Sequence, residues 1–218
     1  MSAPRVWRLG QPVQPLVDLV RRGGILVIPT ESSYGLGVDP RSPAGVEAVF
    51  AAKRREQRKP LPVVAASLDQ LRVIGIDPQA PEVAPFAPLW PAALSVVAPL
   101  AAPLPAAAGD SRLAVRVPAH EPLRALLAAL GTPLTATSAN PSGEPPILAP
   151  GADLDRLLDG FDAVLVDGGR LPGGPPSTLV ELQAGKLRLH RAGSYPLERL
   201  KDHLFSTVAV EIVVENLS

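Results

Sequence analysis

Gly23-Gly24-Ile25-Leu26-Val27-Ile28-Pro29-Thr30-Glu31-Ser32-Ser33-Tyr34-Gly35-Leu36-Gly37 opens the part of the chain that decides the fold. Two glycines break the chain, four apolar residues make a run of strand length, and Pro29 ends it. Five consecutive side chains with oxygens follow, from Thr30 to Tyr34. Such a density of polar groups just past a buried strand is poor core material and suits a binding rim, because α/β sheets collect ligands at the carboxyl ends of their strands. Gly35 and Gly37 are read as places for positive φ or for close approach of a ligand to the backbone.

Working outward, Ser42, Pro43 and Glu47 mark a helix start. Val46, Val49 and Phe50 share one face, and the helix is expected to run to about Lys53. At its end stands Lys53-Arg54-Arg55-Glu56-Gln57-Arg58-Lys59, five cations and one acid in a chain whose net charge is zero. Beside a polar rim such a cluster can hold phosphates, with arginine donating two parallel hydrogen bonds and lysine acting as a mobile point charge. The same run also suits a helix C-terminus and a solvated turn.

Composition narrows the class. The 218 residues suffice for a core in one domain, and we expect one, spanning 1–218. Hydrophobic residues make up 46%, no apolar run reaches the roughly 20 residues a membrane span needs, and residues 1–10 lack a signal-peptide centre, so the expected location is cytoplasmic. Without cysteine there is no disulfide, thiolate metal site or cysteine nucleophile. His120, His190 and His203 are scattered, so no protein-bound metal is expected. Neutral charge and 4% aromatics argue against a general nucleic-acid coat, leaving a local basic patch for RNA or tRNA.

Along the rest of the chain, Val13 to Arg22 has helical spacing, Leu61 to Ala66 reads as a strand interrupted by proline, and Ser67 caps a short helix, Leu68 to Val73. Pro78 to Pro91 reads as a short helix and turn, Leu94 to Leu100 as a strand, and Ala101 to Gly109 as a surface loop. Arg112 to Pro118 alternates as a half-buried strand with Arg112 and Arg116 on one face. Glu121 to Leu130 is a helix ended by Gly131. Thr135, Thr137, Ser138, Asn140, Ser142 and Gly143 form a second polar cluster after an apolar strand, either a turn or a second wall of the same pocket. Leu154 to Leu158 is helical, Ala163 to Val166 a strand, Ser177 to Leu182 and Lys186 to Arg191 a hairpin, Pro196 to Leu204 a helix, and Val208 to Val214 a final strand at an edge or interface.

These motifs, in this order, resemble those of the YrdC-like family, whose best-known activity is L-threonylcarbamoyladenylate synthesis. Pro29 to Gly37 looks like its leading motif, with Ser32 where threonine is more frequent. Lys53-Arg54-Arg55 resembles its lysine-any-arginine motif, and Ser138-Ala139-Asn140 with Ser142-Gly143 its serine-any-asparagine motif. Val115 to Pro118, Ser177 to Val180 and Arg191-Ala192-Gly193 complete the series. The resemblance, to the short single-domain branch, runs from about Gly23 to Arg191. It implies an α/β (α+β) domain, with a twisted, mostly mixed sheet and flanking helices around an open basic cavity.

The reaction it implies joins L-threonine, bicarbonate and ATP, with Mg2+ accompanying ATP, to give threonylcarbamoyl-AMP and pyrophosphate; downstream proteins pass the threonylcarbamoyl group to tRNA adenosine. By the same resemblance Lys53 and Arg55 would act on phosphates and developing charge. Ser138, Asn140 and Arg191 would bind ATP, with Lys59 in reach. Ser32, Arg116 and Ser177 would hold threonine, and Tyr34 is pocket wall or core. The chain departs from the pattern at Val64, often a histidine that contacts threonine, at Ala92-Ala93 (Gly-Pro), at Pro146 (serine) and at Glu56 (proline). The competing expectation is an RNA-binding or ribosome-associated paralogue without synthase activity.

Overall fold

The computed structural model describes residues 4–54, 59–207 and 211–213. In chain order it contains β1 (Arg5–Trp7), α1 (Gln14–Arg21), β2 (Ile25–Pro29), β3 (Tyr34–Gly37), α2 (Pro43–Ala52), β4 (Val63–Val64), α3 (Leu68–Arg72), β5 (Leu94–Pro99), β6 (Arg112–Arg116) and α4 (Glu121–Leu130). There follow β7 (Leu134–Thr135), β8 (Thr137–Ser138), α5 (Ala152–Leu157), β9 (Ala163–Val166), β10 (Thr178–Gln183), β11 (Lys186–Arg191), α6 (Leu197–Thr207) and β12 (Glu211–Val213). Among the described residues no helix is long and apolar enough to cross a membrane.

The strands form two mixed sheets where a single one was expected. The first runs β1-β9-β2-β3-β8 and the second β12-β11-β10-β5-β6-β4-β7. They join where only Ala136 separates β7 from β8. Thr135, in the second sheet, ties it to the first, its hydroxyl donating to Leu36 O at 3.1 Å and accepting from Val38 N at 3.1 Å. Pro62 O accepts from Ala136 N at 2.7 Å. A chain that changes sheets within one residue brings the ends of both sheets together, and the cavity lies there.

Local chemistry explains most elements. β2 is buried at all five positions and pairs in parallel with β9, which fits its uninterrupted apolar run. Ser42 Oγ accepts from Gly45 N at 3.1 Å and begins α2 with Pro43 in the first turn. Gly131, at φ +68°, closes α4.

Four expectations are corrected. Tyr34 to Gly37 is a strand, antiparallel to β2. Its glycines do not take positive φ, and a Cβ at Gly37 would lie 3.2 Å from Leu134 Cδ1 and 3.3 Å from Thr135 O, so there the close approach is that of the neighbouring chain, while Gly35 lines the cavity described below. The Leu61–Ala66 strand shrinks to Val63–Val64, since Pro62 has no N–H to give and Leu61 N donates instead to Ala106 O at 2.8 Å. That bond also draws the Ala101–Gly109 segment inward, and Ala106 and Ala107 are fully buried. β1 was not foreseen; three residues carry too little periodicity to show, and its pairing with β9 defines it. The final strand is an edge, Glu211–Val213 beside β11, while residues 208–210 and 214 lie outside the described residues.

Candidate functional site

Period-two alternation builds the floor of the cavity. On β5, β6 and β10 the residues Val96, Leu113, Val115, Val180 and Leu182 face the core, while Ser95, Val97, Arg112, Ala114, Arg116, Leu179 and Glu181 face the other way. Over them sit the β2–β3 turn (Thr30, Ser32, Ser33), the seam (Ala136, Thr137, Ser138) and Lys59. The enclosed volume is about 590 Å³, within the range of small-molecule sites.

The turn from Thr30 to Ser33 is held by its own side chain, with Thr30 Oγ1 donating to Ser33 O at 2.7 Å. Tyr34 settles the choice between wall and core by being both. Its ring is fully buried, and its hydroxyl donates to Gly169 O at 2.8 Å and accepts from Gly168 N at 3.0 Å. Burial pushes that phenol up from its ordinary pKa.

At one end of the floor two guanidinium groups meet. Arg116, with 12% of its side chain exposed, pairs with Glu31 across 3.2 Å, and Glu31 Oε1 is fixed by Ala119 N at 2.8 Å. Burial pushes Arg116 down from its ordinary value, with Glu31 opposing. Arg191 donates through Nε to Ser177 O at 3.0 Å and through Nη2 to Ser177 Oγ at 3.2 Å, and Ser177 Oγ lies 2.8 Å from Ser95 Oγ. Burial and then the charge of Arg116 pull Arg191 down. Two cations that repel each other beside a line of hydroxyls make a site for an anion.

A bulge supplies Arg191. Leu179 faces Arg191 and Val180 faces Leu189, so His190 is an extra residue, and both His190 and Arg191 reach the cavity. At the other end of the floor Glu181 lies between Arg112 Nε (2.7 Å) and His190 Nε2 (2.7 Å).

Lys53 and Asn140 do not line this cavity. Lys53 is 4% exposed, and its ammonium donates to Ser138 O at 2.5 Å, Asn140 O at 2.8 Å and Asn140 Oδ1 at 3.3 Å. Asn140 Nδ2 donates to Glu144 O at 2.5 Å and Pro141 O at 3.0 Å. The pair braces the loop that carries Ser138 from behind. Arg55 lies outside the described residues. Ser32, Tyr34, Lys59, Arg116, Ser138, Ser177 and Arg191 all line the one cavity.

Residues 18–193 match the model of the Sua5/YciO/YrdC family, described as "Telomere recombination". The chain belongs to this family. As a Sua5/YciO/YrdC protein it is 39% identical over 175 residues to the threonylcarbamoyl-AMP synthase of Chromohalobacter salexigens, covering 78% of this chain and 92% of that one. It is 37% identical over 178 residues to the synthase of the same name from Thiobacillus denitrificans, covering 77% and 89%. The crystal structure of P. abyssi Sua5 complexed with L-threonine superimposes with a TM-score of 0.80 at 28% identity over 97% of this chain. This Sua5/YciO/YrdC chain spans 63% of the length of that P. abyssi protein.

Within this Sua5/YciO/YrdC site, motif reading missed Ser95, Arg112, Glu181 and His190. The first three were visible as polar residues at alternate positions of otherwise apolar strands, Leu94 to Val97, Arg112 to Val117 and Leu179 to Leu182. His190 gave no such signal, because only the bulge turns it inward. Of the departures from the family pattern, Val64 is a buried wall of the cavity, while Pro146 lines a different hollow of about 840 Å³.

Proposed function

We propose that this chain joins L-threonine, bicarbonate and ATP to give threonylcarbamoyl-AMP and pyrophosphate, in the cytoplasm, for later transfer to tRNA adenosine by other proteins. The observation that carries the reading is the convergence of Arg116 and Arg191 with Ser32, Ser177, Ser138 and Lys59 in one cavity. The synthase names of its relatives and the threonine complex of P. abyssi Sua5 support it.

The threonine ammonium group condenses with bicarbonate, losing water and a proton, and becomes a carbamate. A carbamate oxygen then attacks the α-phosphorus, the bond from that phosphorus to the bridging oxygen breaks, and pyrophosphate leaves. No protein nucleophile is needed, since the substrate supplies it. The protein aligns the reactants and meets the negative charge with fixed cations. Arg116 takes the threonine carboxylate in bidentate fashion, with Ser32 and Ser177 around the amino acid. Arg191 and Lys59 meet the nucleotide phosphates, with Ser138 beside them. Lys53 and Asn140 act on this site through the loop they brace, and Arg55 acts on the developing charge.

Magnesium enters as part of MgATP. Of the cavity's two carboxylates, Asp110 accepts from Arg112 N at 3.0 Å and Glu181 is engaged by Arg112 and His190. Among the described residues no three His, Asp or Glu side chains gather as an ion site.

Purified protein is expected to release pyrophosphate only with threonine, bicarbonate and MgATP together. No release from the complete mixture, with a salt-sensitive RNA complex in its place, overturns the synthase reading in favour of an RNA-binding paralogue.

A further inference from the structure

The floor of the cavity has two polar ends with apolar residues between Arg116 and Arg112 on β6 and beside them on β5. One end holds Arg116 and Arg191. Leu179 lies level with Ser95 and Arg191 at the first end, Val97 and Ala114 face each other one step further along, and level with them on β10 is Glu181, whose carboxylate lies between Arg112 and His190. On β6 the two arginines are four residues apart, about 13 Å along the strand.

The ends differ in charge. At the first, two guanidinium groups repel each other, and Arg116 is paired with Glu31. At the second, Arg112 lies against Glu181, and a carboxylate faces the cavity with 11% of its side chain exposed. Phosphate and the threonine carboxylate are drawn to the first end and repelled from the second. What the second end accepts is a neutral group that donates hydrogen bonds. A nucleotide has two such parts, the ribose hydroxyls next to its phosphates and the exocyclic amine at the far edge of its flat base, which Val97 and Ala114 can cover.

We propose that Glu181, held in place by Arg112 and His190, reads the nucleoside of the nucleotide substrate by accepting a hydrogen bond from a ribose hydroxyl or from the exocyclic amine of the base. Carboxylates do the former in dinucleotide folds. Each Glu181 oxygen keeps a second lone pair after its contact with Arg112 or His190. Glu181 thereby becomes a specificity residue of the reaction proposed above, on which this inference rests.

Calorimetry on the whole protein tests it, with ATP, 2′-deoxy-ATP, 3′-deoxy-ATP and purine riboside triphosphate, which lacks the amine. One analogue is expected to bind about tenfold or more weakly than ATP, as for loss of a hydrogen bond to a charged group, and its identity names the donor. Glu181→Gln should narrow that gap several-fold. Glu181→Asp, which keeps the charge but retracts it, is the second variant and should narrow the same gap. Three analogues within twofold of ATP on the wild-type protein overturn the proposal, as does a gap that folded variants leave unchanged. Binding is read apart from pyrophosphate release, so a protein that discriminates among these nucleotides without synthase activity contradicts only the proposed reaction.

Discussion

The Nζ atom of Lys53, at the end of α2, lies 2.5 Å from the carbonyl oxygen of Ser138, 85 residues further along the chain. It makes two more contacts with Asn140 and is almost wholly buried. A buried ammonium that holds carbonyl groups is costly to remove, because the carbonyls stay behind without it. Lys53→Met is therefore expected to lower stability by about 2–4 kcal/mol as well as activity. Urea denaturation measures the first, and an unchanged midpoint with activity lost would make Lys53 a phosphate ligand instead of a brace.

Arg116 meets Glu31 through a single nitrogen at 3.2 Å, which leaves the rest of its planar fork for a substrate carboxylate. Lysine at this position retains the charge and loses the fork. Arg116→Lys should raise the threonine KM at least tenfold while the ATP affinity changes much less, the difference expected for one lost charge-assisted hydrogen bond. An equal loss for both substrates would move Arg116 to the nucleotide.

Where the chain's own local chemistry sets an element, the sequence shows it. Ser42 with Pro43, Gly131 after Leu130 and the alternation from Arg112 to Arg116 specify their structures without help from elsewhere. Elements that exist only through a partner stay hidden. The strand Tyr34–Gly37 is half glycine and owes its form to pairing with β2 and β8. The same holds for the site. Arg116 stands out by its place on an alternating strand and Arg191 through the family motif, whereas the inward turn of His190 depends on a register shift between β10 and β11. In the basic run after α2, charge alone does not say which cation turns inward, and Lys53 is buried on backbone oxygens.

His120 caps α4, its Nδ1 accepting from Leu123 N at 3.3 Å, which only an unprotonated nitrogen can do. Burial pushes its pKa below the ordinary value of 6.5, against the opposing charges of Glu31 and Glu121. With the folded value below the unfolded one, the unfolded chain takes up the proton first, so His120 costs stability as pH falls through about 6.5 toward its folded pKa. Above the unfolded value the penalty is absent. His120→Asn keeps a capping oxygen and removes the titration. Thermal unfolding between pH 7.5 and 5.5 should show a smaller decline for the variant, and parallel declines in the two proteins would place the titrating group elsewhere.

Gly193 packs against the backbone of Ser177, the residue that receives Arg191. A Cβ there would fall 2.2 Å from Pro176 O, 2.4 Å from Ser177 C and 2.5 Å from Thr178 N, all backbone atoms in a segment tied down on both sides. Gly193 N and Tyr195 N each donate to Thr178 Oγ1 at 3.1 Å, and Thr178 N donates to Ala93 O at 3.0 Å. Rigid neighbours cannot yield the way a side chain would, so the added methyl must displace Ser177 or open the β10 end. Gly193→Ala is expected to cost about 1–3 kcal/mol or more and to lower activity through Ser177, whose hydroxyl and carbonyl both receive Arg191. Ser177→Ala removes the hydroxyl without that strain. If Gly193→Ala retains both its unfolding midpoint and its rate, the tight packing of this turn does not position the anion site.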